Sequence, residues 1–302
     1  MPPSPRDPDE EPAEDVVPED LDPELVADDE DLADLVGEED EDDDGEDADE
    51  GGDGDEAKAQ KKSSKKGDDE EEVIEFATAK IASEKELRKA LDWAFESESD
   101  ADPELLDKFA RHARLVLEAA RTMNLTKIIE PKEVAAKHYL DSWRSTRLLP
   151  LMGKTLVDVG SGAGFPGIPI ALSEPHTRVI LIEAADKKAD FIQSCVDELG
   201  IKNATVVNDR AEEHLARNRY DVAVMRAISS VRENVRLLRK VRHSIKDLVM
   251  LKGPSWSREV RAGEREAERL GFRLDTVWEH ELPDGLGGRA VLVYAAPGGQ
   301  GL

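Results

Sequence analysis

One cysteine, Cys195, stands among 302 residues. A lone thiol closes no internal disulfide and suits a reducing compartment, so a cytoplasmic protein is expected. No stretch approaches the roughly 18 consecutive apolar residues of a membrane-spanning helix, so no membrane partner is expected. The first residues lack the apolar centre of a secretory signal and are too acidic for a transit peptide. The six histidines are scattered without metal-ligand spacing, so no metal is expected. Aromatic residues make up 4%, and none precedes Phe76.

Charge is equally uneven. The formal net charge is −28, and residues 1–72 alone hold 34 acidic and 6 basic side chains. The rest of the chain holds 35 of each, so the acidity belongs to the first segment only. An Asp-, Glu-, Pro- and Gly-rich segment with no aromatic residue cannot bury enough apolar surface to offset the entropy of ordering it. Residues 1–72 therefore read as a disordered acidic extension with a small basic block at 58–66. A partner-binding or nucleic-acid-mimicking tail is the sharper alternative.

From about Val73 the composition turns globular. Residues 73–150 read as a helical lead-in. Ser83-Glu-Lys-Glu86 has the form of a capping box, and Leu87, Ala90, Leu91 and Ala94 follow at helical spacing. Beyond Pro103, the residues Leu105, Leu106, Phe109, Ala113, Val116 and Leu117 form a second apolar stripe. Residues 151–302 read as strands alternating with helices, the pattern of an α/β fold with a mostly parallel sheet. Strands are expected at 156–159, 178–183, 203–207, 220–227, 248–254, 273–278 and 289–294, with one of the last two antiparallel. Helices are expected at 168–172, 187–199, 230–241 and 259–270.

The core is organised around the first strand and the loop that follows it, with glycines at 160, 162, 164 and 167. Glycine lets a backbone approach a ligand closely, and the helix beyond points its N–H groups at an anion. Gly162, Gly164 and Gly167 match the Gly-x-Gly-x-x-Gly of a dinucleotide site, while S-adenosylmethionine (AdoMet) sites use a similar loop. A plain structural turn is the third reading. Asp158 at the end of the first strand favours AdoMet, because dinucleotide folds usually carry an apolar residue there. Glu183, at the end of the second strand, can accept hydrogen bonds from both ribose hydroxyls. In open α/β sheets ligands bind outside the carboxyl ends of the strands. Gly160, Gly162, Glu183, Ala211, Glu212, Arg226 and Lys252 all fall at such ends.

Several separated motifs resemble one family. They are Asn124-Leu-Thr126, His138-Tyr-Leu-Asp-Ser142, Asp158-Val-Gly-Ser-Gly-Ala-Gly-Phe-Pro-Gly-Ile-Pro169, Arg210-Ala-Glu-Glu213, Met225-Arg-Ala227 and Leu251-Lys-Gly253. The chain is similar, over roughly residues 105–294, to the RsmG (GidB) family of bacterial methyltransferases acting on small-subunit ribosomal RNA. The resemblance implies a class I AdoMet-dependent methyltransferase fold and methylation of guanine N7 in 16S rRNA, with the rRNA or the small ribosomal subunit as partner. By position it implies AdoMet contacts at Gly160, Phe165, Ala211, Glu212 and Arg226. The chain departs from the family pattern in Glu183-Ala-Ala-Asp-Lys-Lys188, in Thr122-Met123, where the family usually has Trp-Asn, and in the acidic extension.

Guanine N7 carries a lone pair and no proton, so its attack on a sulfonium methyl needs positioning and no general base. That agrees with the lack of a visible catalytic dyad, and no catalytic residue is assigned. Residues 222–273 carry 13 Lys/Arg against 6 Asp/Glu, a basic stretch suited to phosphate. Arg232, Arg236 and Arg239 within it are candidate RNA contacts, as are Lys252 and His138. Solvated helix faces, a strand-end lysine and a satisfied core histidine are the plain readings of the same residues. Two other classes stay open on sequence alone: an AdoMet- or nucleotide-binding scaffold without catalysis, and an NAD-dependent oxidoreductase.

Overall fold

The computed structural model describes residues 80–297. The expected disordered extension, residues 1–72, lies outside the described residues.

Two helices lead in. Helix α1 (Glu84–Ala94) starts at the expected capping box: Ser83 accepts the Glu86 N–H and the Glu86 carboxylate takes the Ser83 N–H. Helix α2 (Pro103–Ala120) has Asp102 as its N-cap and Pro103 at its first position. Both bury the predicted stripes, with Leu87, Leu91, Phe109, Ala113, Val116 and Leu117 at most 2% exposed. Next come a short turn α3 (Pro131–Glu133), a π-helical stretch (Val134–Leu140) and α4 (Asp141–Leu148), end to end. This helical run carries the His138-Tyr-Leu-Asp-Ser142 motif, which sequence periodicity did not identify as helix.

The core is a seven-stranded sheet. Its strands are β1 (Thr155–Val159), β2 (Arg178–Glu183), β3 (Ala204–Asn208), β4 (Tyr220–Arg226), β5 (Ile245–Lys252), β6 (Arg273–Glu281) and β7 (Gly288–Ala295). They run in the order β3-β2-β1-β4-β5-β7-β6. All expected strands form, with ends shifted by a few residues. β7 inserts between β5 and β6 and is antiparallel to both, so it is the single reversed strand. Crossover helices α5 (Gly167–Ser173), α6 (Asp186–Glu198), α7 (Ala211–Arg217), α8 (Val231–Leu237) and α9 (Trp256–Arg269) join the strands. α7 occupies a segment that the sequence reading left as loop, and α8 ends at Leu237, four residues short of the expected 241.

Strand residues alternate between two faces. Val222, Val224, Leu251, Val291 and Val293 pack with the lead-in helices, α5 and α6. Val157, Ala223, Met225, Met250, Leu292 and Tyr294 pack on the other face with residues of α7, α8 and α9. Among the described residues no helix is long and apolar enough to cross a membrane.

Candidate active site

The loop after β1 is bent tightly back on itself. The Ser161 N–H donates to the Ile182 carbonyl (2.9 Å), and the Ser161 carbonyl accepts from Gly164 (2.7 Å) and Phe165 (3.0 Å). Gly160 sits at φ +67° with its backbone exposed at the strand end. Gly167 is glycine for a different reason. A Cβ there would lie 2.2 Å from Leu181 Cδ2 and 2.5 Å from Asp158 Oδ2. The close approach lets the Gly167 N–H donate to Asp158 Oδ2 at 3.0 Å. Asp158 is fully buried, and burial pushes its carboxyl up to about 7 against the lowering effect of that hydrogen bond. Asp158 thus joins β1 to the start of α5 and shapes the loop from beneath.

Glu183 closes the loop's other side. Its Oε2 accepts the Gly162 N–H (2.9 Å) and its Oε1 the Ala185 N–H (3.0 Å). An ionised carboxylate has about four lone-pair sites, so each oxygen retains capacity for a ribose hydroxyl. Ala211 and Glu212 stand half-buried in the first turn of α7, at the exit of β3. An exposed glycine backbone, a part-open carboxylate and this third strand exit lie along adjacent strand ends. They fit a nucleoside held across β1, β2 and β3.

Phe165 reaches the opposite way, under the lead-in helices. Its ring stacks on His138 (4.6 Å, 21°) and meets Tyr139 edge-on (5.2 Å), with the Arg226 guanidinium 5.6 Å from its centroid. Arg226 Nη2 donates to the Lys137 carbonyl (2.9 Å) and to His138 Nδ1 (2.8 Å), and its Nε faces Asp141 Oδ2 at 3.9 Å. Arginine can only donate, so His138 Nδ1 must accept, and its proton sits on Nε2. Nε2 accordingly donates to Thr126 Oγ1 at 3.0 Å. Burial and the neighbouring Arg226 charge push the His138 imidazole well below its usual pKa, which keeps it neutral. Asp141 Oδ1 also faces His280 Nε2 of β6 at 3.2 Å. Thr126, His138, Asp141, Phe165 and Arg226 come from four of the motifs singled out in the sequence, and the fold joins them in one buried network.

Other predicted residues lie apart. Lys252 is 9% exposed, and its Nζ donates to the Ser229 carbonyl (2.5 Å) and pairs with Glu259 of α9 (2.8 Å). It is neither solvated nor directed at the loop. Arg232 and Arg236 on α8, and Arg239 just beyond it, are exposed on the α8–α9 side, with Arg236 Nε 3.2 Å from Glu266 Oε1.

The family described as rRNA small subunit methyltransferase G matches residues 105–283, which include both the glycine loop and the Arg226 network. The chain belongs to this family. A ribosomal RNA small subunit methyltransferase G of Solibacter usitatus is 39% identical over 186 residues, covering 61% of this chain and 87% of that protein. Its counterpart in Carboxydothermus hydrogenoformans is 33% identical over 198 residues, covering 64% and 84%. Membership in the methyltransferase G family sets aside the oxidoreductase reading of the glycine loop.

Sequence reasoning did not single out one cation on the same sheet face as Arg226. Arg289, at the start of β7, is half-buried, with its Nη1 2.9 Å from the Gly288 carbonyl. Its strand's place in the sheet was the missing information. The only available signal was its position at the start of a late strand.

Proposed function

We propose that this protein transfers a methyl group from AdoMet to guanine N7 in 16S ribosomal RNA, in the cytoplasm, on the free rRNA or on the small subunit. The observation that carries this reading is the family match, which spans the loop, the Glu183 exit and the Arg226 network together. AdoMet would be held by the backbone at Gly160 and Gly162, by Glu183 toward the ribose, and by Ala211 and Glu212 beside the adenine. Phe165 and Arg226 would close the methionine side, with Asp158 shaping the loop from below. AdoMet supplies the electrophilic methyl when bound.

The chain's own task is then orientation. N7 attacks with its lone pair, so no side chain has to remove a proton, and the rate gain comes from in-line placement. The surroundings agree: His138 is buried, neutral and already hydrogen-bonded at both ring nitrogens, which leaves it no capacity as a base. Its part is to hold Arg226. The test is to map N7-methylguanosine in 16S rRNA from cells with and without this gene. One methylated guanine should disappear in the deletion and return on complementation. An unchanged map would refute the assignment.

A further inference from the structure

Arg226 and Arg289 stand on neighbouring parts of one face of the sheet. β7 pairs with β5 so that Val291 faces Leu251 and Ala290 faces Lys252. Side chains alternate along a strand, so Arg289 shares the face of Val291 and Val293, the face covered by the lead-in helices. Lys252 shares the face of Ala290 and Met250, where α9 covers it and Glu259 takes its charge. Lys252 therefore lies on the opposite sheet face from Arg226 and Arg289. Across the pairing with β6, Arg289 lies opposite His280.

Its surroundings leave room for a ligand. A Cβ on Gly287 would lie 3.6 Å from Arg289 Nη1, and one on Gly253 3.9 Å, so the guanidinium rests beside two residues that have no side chain. Among the described residues it donates to the Gly288 carbonyl and meets no carboxylate. Asp141 is already shared by Arg226 and His280. Burial chiefly, and the Arg289 charge in part, lower both Arg226 and His138, so the two guanidinium groups share one electrostatic neighbourhood. Asp141 is taken by Arg226 and His280, and Arg289 has no ion pair among the described residues, so an anion beside it is favoured. The guanidinium fork matches a phosphate.

We propose that Arg289 takes a backbone phosphate of the substrate RNA at the methyl-transfer mouth, and so sets the target base against the cofactor. This rests on the methyltransferase reading above. Arg226 is already engaged, through Nη2 with Lys137 and His138 and through its charge with Asp141.

The test compares wild-type full-length protein with Arg289→Gln and Arg289→Lys. The substrate is small ribosomal subunits purified from cells lacking the gene, and AdoMet binding is measured by calorimetry. For Arg289→Gln, KM for the subunits should rise about tenfold. The slope of log affinity against log salt should fall by about 0.7, the loss of one phosphate contact. AdoMet affinity should stay within about twofold of wild type, and Arg289→Lys, which keeps the charge, should recover most of the slope. A wild-type slope and KM in Arg289→Gln would overturn the proposal. So would an AdoMet affinity that falls in step with subunit affinity, since that marks a structural role. If the wild-type protein transfers no methyl to the subunits, the functional reading itself fails. Normal wild-type transfer with an unaffected glutamine variant refutes the Arg289 role alone.

Discussion

Arg226 and Lys252 end adjacent parallel strands, each the middle residue of a short motif, yet they serve opposite faces. Arg226 turns toward the lead-in helices and binds Lys137, His138 and Asp141. Lys252 turns toward α9 and binds Ser229 and Glu259. The difference comes from strand parity alone, since successive side chains point to opposite sides of a sheet. A strand end is therefore too coarse a description of a site. Both cations are buried ion-pair members, but only one stands against the aromatic ring that borders the glycine loop.

The largest effect should come from breaking the Arg226 side. Arg226→Ala leaves Asp141 buried without its strong partner, and removing one member of a buried pair costs about 3–5 kcal/mol. Urea unfolding should show that loss, and calorimetry should show AdoMet binding abolished. Lys252→Met makes the sharper comparison. It frees a less buried Glu259, so the cost should be about 2 kcal/mol, while AdoMet affinity should stay within about twofold of wild type. Lys252→Met with full stability and a large drop in turnover would return Lys252 to the mouth.

Asp158 gives the same side a pH signature. Its carboxyl is raised to about 7 in the fold, from 3.8 as the ordinary value. Between those values the native state holds a proton that the unfolded chain has released, so this group's contribution to stability falls as pH rises from about 4 through about 7. Asp158→Asn keeps an acceptor for the Gly167 N–H and removes the titration. Its unfolding free energy relative to wild type should therefore climb across that window, by an amount on the order of 4 kcal/mol, and level off above it. A constant difference from pH 4 to pH 8 would show that Asp158 stays ionised.

Gly160→Val probes the loop's exposed edge. A branched side chain at φ +67° costs about 1–2 kcal/mol. Its Cβ would also press on Ile228 Cδ1, at 3.1 Å. AdoMet affinity should drop at least about tenfold, or about 1.4 kcal/mol, while circular dichroism stays native. The smallest effect on stability belongs to the far side. Arg232, Arg236 and Arg239 are exposed, and surface charges of this kind contribute about 0–1 kcal/mol each. Changing all three to glutamine should leave AdoMet binding unaltered. A flatter salt dependence of RNA binding in that variant would mark the α8–α9 face as part of the RNA surface, and an unchanged one would confine binding to the mouth.

The strongest local signals survived folding because they depend on short-range chemistry. The Ser83 capping box, the Pro103 helix start and the period-two apolar strands need only neighbouring residues to act. The glycine loop was legible for the same reason, and Gly167 lies where any Cβ would collide with Leu181. The helix α7 was missed because its seven residues offer a single buried apolar side chain, Leu215, and so no periodicity. The π-helical run was missed because its buried His138, Tyr139 and Leu140 do not follow a 3.6-residue stripe.

The sequence by itself determined the order of the strands and of most helices, the glycine loop with its flanking acids, and the confinement of excess negative charge to residues 1–72. Each of these is a property of composition or of contacts a few residues apart. Only the tertiary structure decided which charges meet. His138 and Arg226 are 88 residues apart in the chain and 2.8 Å apart in space. Arg289 shares a sheet face with Arg226 only because β7 inserts beside β5, and Lys252 does not because alternation sends its side chain to α9. Long-range pairing is set by how whole faces bury together, and no local pattern carries that information.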